Sequence, residues 1–97
     1  MTNTNDVRAF EIAEVDQIDE TECRVIGLTL KTLKVGDTVC VYNDEATSIF
    51  YSAEFDVSRI RVFGRELPQI DRGFYVEIFV ATDMGDVLKD VKYLCLK

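Results

Sequence analysis

The twelve residues AEFDVSRIRVFG (53–64) hold two alternating apolar pairs that are out of step with each other. Phe55 and Val57 share one side of an extended chain, whereas Ile60 and Val62 share the side of opposite parity. One extra residue near Ser58–Arg59 reconciles the two phases. Such an insertion is a β-bulge, which bends a strand and increases its twist. The segment therefore predicts a curved strand.

Segments on either side repeat the two-residue period. In FYVEIFVATD (74–83), Val76, Ile78 and Val80 fall on one face, and Tyr75, Glu77, Phe79 and Ala81 on the other. In LKVGDTVCVY (33–42) a Gly-Asp turn precedes a strand with Val39 and Val41 opposed to Cys40 and Tyr42. CRVIGLTL (23–30) sets Ile26, Leu28 and Leu30 in phase, opposite Gly27. A glycine inside a strand marks a bend or a close backbone approach. VRAFEIAEVDQI (7–18) alternates until Glu14–Val15, where the parity changes as at a bulge or strand end. DETE (19–22) and DMGD (83–86) read as turns, NDEATS (43–48) as a loop and IFY (49–51) as the start of another strand. Pro68, the only proline, ends strand pairing within RELPQIDRG. VLKDVKYLCLK (87–97) is short and β-branched and reads as extended, with Leu94 and Leu96 in phase. Six or seven short strands without a convincing helix indicate an all-β sandwich or barrel. Residues 1–97 make one domain, with a polar tail over 1–6 that is expected to fray.

Composition narrows the function classes. Eighteen acids against eleven bases give a net charge of −7, and histidine is absent. That charge repels phosphate backbones and anionic headgroups, so neither nucleic acid nor a membrane surface is an expected partner. Without histidine, and with only three cysteines, the chain lacks an obvious zinc set or general base. Cys23, Cys40 and Cys95 each sit in an apolar run with no C-x-x-C spacing, and read as small core residues of a reducing compartment. The opening residues hold no apolar leader segment, and a cytoplasmic protein is expected.

The order of the parts resembles a known family. FEIAEVDQI, RVIG, LKVGDTVCVY and VSRIRVFGRELPQIDRGFYVEIFV follow one another as in the second domain of elongation factor Tu and related translational GTPases. The resemblance covers roughly residues 10–96 and implies a closed six-stranded Greek-key β-barrel. Val35-Gly36-Asp37 would then be a corner between strands, with glycine at positive φ and aspartate capping the turn, and likewise Asp71-Arg72-Gly73. No GxxxxGK[ST] loop occurs, so nucleotide hydrolysis is not implied. In the family this barrel helps to hold the aminoacylated end of transfer RNA, at positions that align with Ala13–Ile18. Val15 and Ile18 match that pattern. Asp16 replaces an aromatic residue, and Arg61 an acidic one. Glu11–Glu22 carries six acids and no base, which speaks against retained RNA binding.

No catalytic residue, metal ligand or cofactor site is expected. Asp44-Glu45 and Asp83, Asp86 and Asp90 lack the spacing of a calcium loop and read as surface turns. The arginine and serine positions that flavin-binding relatives of such barrels need are missing too. The expected role is a non-enzymatic binding module that docks a protein. Its candidate surface comprises Glu14, Asp16, Ile18, Arg59, Arg61, Tyr75 and Phe79, with Tyr75 and Phe79 placed outside by alternation. A rival reading is an acidic inhibitor or immunity-like protein that blocks a basic nucleic-acid-binding site by charge mimicry.

Overall fold

A computed structural model describes residues 8–42 and 54–97, so the expected tail over 1–6, the loop 43–48 and the strand start 49–51 lie outside the described residues. The elements are β1 (Arg8–Gln17), β2 (Cys23–Thr29), β3 (Leu33–Lys34), β4 (Thr38–Tyr42), β5 (Glu54–Val62), β6 (Arg65–Leu67), β7 (Gln69–Ile70), β8 (Tyr75–Val80), the helical turn α1 (Gly85–Leu88) and β9 (Tyr93–Leu96). Six strands pair in the order β4-β9-β1-β2-β8-β5, and β5 returns to β4, so the sheet runs round as a ring. Every pairing in it is antiparallel. β6 extends β5 as a hairpin, and β3 pairs separately with β7.

The bulge expected at Ser58–Arg59 is present: the β5–β8 register shifts between Val57 and Arg59. It lets one strand serve two neighbours, with Glu54–Asp56 on β4 and Val57–Arg61 on β8. β1 also shifts register, between Ile12 and Glu14, close to the expected parity change. Gly27 stands opposite Ile12, where a Cβ would lie 2.0 Å from the Glu11 carbonyl oxygen and 2.9 Å from the Phe10 ring. The close approach anticipated for this glycine is thus real, and any side chain there collides with backbone.

The interior gathers Phe10, Val25, Leu33, Val39, Phe55, Val57, Ile60, Val76, Ile78, Val80 and Leu94. Alternation assigns β8 correctly. In β2 the more apolar face is not the buried one: Cys23, Val25, Gly27 and Thr29 point inward, while Ile26 and Leu28 stay half-exposed. Thr29 is the one buried polar side chain among the described residues. Its hydroxyl donates to the Asp71 carbonyl (2.8 Å) and accepts from the Phe74 N–H (3.0 Å), so the Asp71–Gly73 turn is held from the neighbouring strand β2. Gly73 has φ +91°, as expected for that turn.

The Val35-Gly36-Asp37 corner forms as read. Gly36 has φ +98°, and Asp37 Oδ2 accepts from the Lys34 N–H at 2.9 Å. Gly36 donates to the Val57 carbonyl and Asp37 accepts from the Val57 N–H, both at 2.8 Å, which stitches the corner to the β5 bulge. The expectation of an extended 87–94 needs correction. Gly85–Leu88 forms a helical turn whose Leu88 is fully buried, and the chain becomes extended only at Tyr93. All three cysteines are buried free thiols. Cys40 and Cys95 face each other across β4 and β9, and burial together with the neighbouring Cys95 pushes the Cys40 thiol up to about 12. A thiol raised so far stays protonated at neutral pH. No helix among the described residues is long and apolar enough to cross a membrane.

Candidate functional site on the outer face of β1, β2, β8 and β5

Register decides which outward side chains meet. Asp16 pairs with Arg24, Arg24 with Phe79, and Phe79 with Arg59, giving one row across four strands. The next row is Glu14, Ile26, Glu77 and Arg61. A third contains Glu11, Leu28 and Tyr75. Six of the seven candidate residues therefore share one face. Ile18 stands apart, just beyond β1 and 48 % exposed.

Within the two polar rows every charge but that of Glu14 enters an ion pair among the described residues. Arg24 contacts Asp16 at 2.5 Å and Glu77 at 3.4 Å, and Glu77 accepts from Arg61 at 2.8 Å. Arg59 reaches Glu22 at 2.9 Å and Glu66 at 3.2 Å. Asp16 raises the Arg24 pKa, Glu22 raises that of Arg59, and Arg59 in turn holds the Glu22 carboxyl below its usual range. Phe79 lies beneath this lattice. Its ring centroid is 4.0 Å from the Arg59 guanidinium carbon and 5.0 Å from that of Arg61. Alternation rightly set Phe79 on the outer face, but it is only 2 % exposed, so the expected patch of Tyr75 with Phe79 is not open as a pair. Arginine stacking on a ring both shields it and adds attraction.

The two ends of this face differ. Where β2 ends and β8 begins lie residues 30–32, 63–65 and 71–74, with Lys31, Arg65 and Arg72 against one carboxylate, Asp71. Here Phe63 is 99 % exposed, Tyr75 63 % and Phe74 50 %. Phe63 and Gly64 form the β5–β6 turn, with φ +51° and +77°. A non-glycine residue in the left-handed region costs on the order of 1 kcal/mol, and Asn-Gly is the favoured pair for such a turn. At the other end, residues 18–22 and 81–84 hold four carboxylates and no cation. Gln17 ties that end together. Its amide nitrogen donates to the carbonyls of Asp19 (2.6 Å), Glu22 (3.1 Å) and Thr82 (2.8 Å), and its oxygen accepts from the Gly85 N–H (2.7 Å).

Arg24, Glu22 and Glu77 complete the lattice but were absent from the candidate set. Their only signal was cross-strand register, which requires the partners of each strand to be known. Of the acids in Glu11–Glu22, Asp16 and Glu22 are committed to arginines and Asp19 to the Thr21 N–H and hydroxyl, both at 2.8 Å. Asp86 pairs with Lys89, and no group of three or more Cys, Asp or Glu residues among the described ones is arranged to hold a metal ion. No protein-family model matches the chain, and no curated protein matches it either.

Proposed function

We propose that the chain is a non-enzymatic binding module that docks a protein through the aromatic end of its β1-β2-β8-β5 face, in the cytoplasm. The observation that carries this reading is that exposed Phe63, Phe74 and Tyr75 lie at one end of the ring, Tyr75 opposite half-exposed Leu28. Exposed apolar clusters of this kind, rimmed by charge, mark contact surfaces. The arginine–carboxylate lattice next to them supplies a stiff floor, because each of its charges already has a partner. We take the ring to be a closed Greek-key barrel of the translation-factor second-domain type. The bulge in β5, the Gly36-Asp37 corner and the six-strand order support that assignment.

Charge mimicry of a nucleic acid is the weaker reading. It draws on Glu11, Glu14 and Glu20, which have no described ion-pair partner, but Asp16, Asp19 and Glu22 are spent internally. Affinity capture with the native chain and a Phe74→Glu, Tyr75→Glu variant, at about 0.1 M and 0.5 M salt, separates the two. Apolar docking keeps its partner at high salt and loses it in the variant. A charge mimic loses the partner to salt and keeps it in the variant. Equal recovery of every protein by both chains at both salts would sink the docking reading.

A further inference from the structure

The Phe63-Gly64 turn is built against its own stability. Phe63 is wholly exposed, packs on nothing that shields it, and holds a positive φ that bulky side chains avoid. Asparagine at the same place would fit the turn better. The residue is therefore a poor choice for folding and a good one for contact: a rigid hairpin presents one aromatic ring with little rotamer freedom to lose on binding. Around it the charge reverses relative to the whole molecule. The chain carries −7, yet Arg65 follows directly, and Arg72 and Lys31 occupy the adjoining loops. None of these three has an ion-pair partner among the described residues. Of the nearby carboxylates, Glu66 and Glu77 are engaged by Arg59 and by Arg24 and Arg61, which leaves Asp71 alone against the three cations.

We infer that Phe63 is the anchor of the docking surface, and that its partner is a protein offering an apolar pocket rimmed by carboxylates that meet Arg65 and Arg72. The inference rests on the docking reading above and adds the anchor and the chemistry of the pocket. A lipid surface fits less well. One ring gives little insertion, and a net charge of −7 opposes anionic headgroups.

The test places a photo-crosslinking benzoylphenylalanine at position 63 or at position 75 of the full chain, in lysate of the cells that make it. Adducts are mapped by mass spectrometry to the partner peptide. Position 63 is expected to give one dominant adduct, to an apolar peptide beside Asp or Glu residues. Charge reversal by Arg65→Glu with Arg72→Glu should cut its yield about tenfold. An adduct from position 75 but none from 63 overturns the anchor and leaves docking intact, whereas no adduct from either overturns both. An adduct indifferent to charge reversal, a covalent dimer of the purified chain, or co-sedimentation with phosphatidylserine vesicles also overturns the inference. Phe63→Asn gives an independent check. It should raise the melting temperature by about 5 °C while the adduct from position 75 falls about tenfold. A lower melting temperature would show that Phe63 serves the fold instead.

Discussion

The acidic end of the β1-β2-β8-β5 face is closed and the aromatic end is open. At the first, Gln17 makes four hydrogen bonds to three separate backbone segments, Asp19 caps Thr21, and Glu22 is clasped by Arg59 and Ser58. At the second, turns are held from beneath by backbone and by Thr29, and the large side chains stand in solvent. Polar side chains thus do structural work at the acidic end, and the most exposed aromatic ones stand at the end where cations gather. Side-chain hydrogen bonding and exposed aromatic surface are segregated along the strands, so each can be perturbed with little change in the other.

The largest expected effect should ignore that division. Gly27→Ala drives a Cβ into the Glu11 carbonyl at the centre of the ring, and is expected to cost roughly 3 kcal/mol or more. Chemical denaturation should show both ends lost in one transition; two separate transitions would break the picture of a shared ring.

Gln17→Leu comes next, because it strands the Gly85 N–H and the carbonyls of Asp19 and Thr82. A loss of about 2 kcal/mol is expected. Tyr75→Ala at the open end should change stability by no more than about 0.5 kcal/mol. Comparable losses from the two would erase the contrast. Arg59→Ala should lower the melting temperature by less than Gln17→Leu and expose Phe79. Arg59→Lys should recover only part, since an ammonium cannot span Glu22 and Glu66 while lying flat on the ring.

Acid gives the smallest effect and the most local. Asp19 is held below its ordinary value of 3.8 by the Thr21 N–H, and Glu22 below 4.5 by Arg59. In both, folding favours the charged carboxylate, so the stabilisation is present above the ordinary values and is lost as pH falls through the lowered ones. Below about pH 4, hydrogen-exchange protection of the Thr21 amide should drop before that of Phe74, whose partner is the Thr29 hydroxyl. Simultaneous loss would show that the acidic end has no separate titration.

Much of the ring was legible because the two-residue period survives in short words. Val76-Glu-Ile78-Phe-Val80 names its inner face, the slip between Val57 and Ile60 names a bulge, and Gly36-Asp37 names a corner. β2 misleads because its inner face includes Gly27 and Thr29. One was chosen for space and the other for its hydroxyl, and neither registers as apolar. Six of the seven candidate surface residues share a face, but their roles divide in ways that local pattern does not carry. The cover over Phe79 comes from arginines on another strand, and the Gln17 clasp joins residues up to 68 apart. The α1 turn was hidden by its β-branched neighbours.

β9 sits between β4 and β1, so the strand of the ring that leaves the ribosome last is the one that joins its two flanks. Until residues 93–96 emerge, a nascent chain carries two bare strand edges at once, each able to recruit a neighbouring polypeptide. Shortening the chain before Tyr93 should consequently yield sticky, chaperone-bound material rather than a slightly weakened fold.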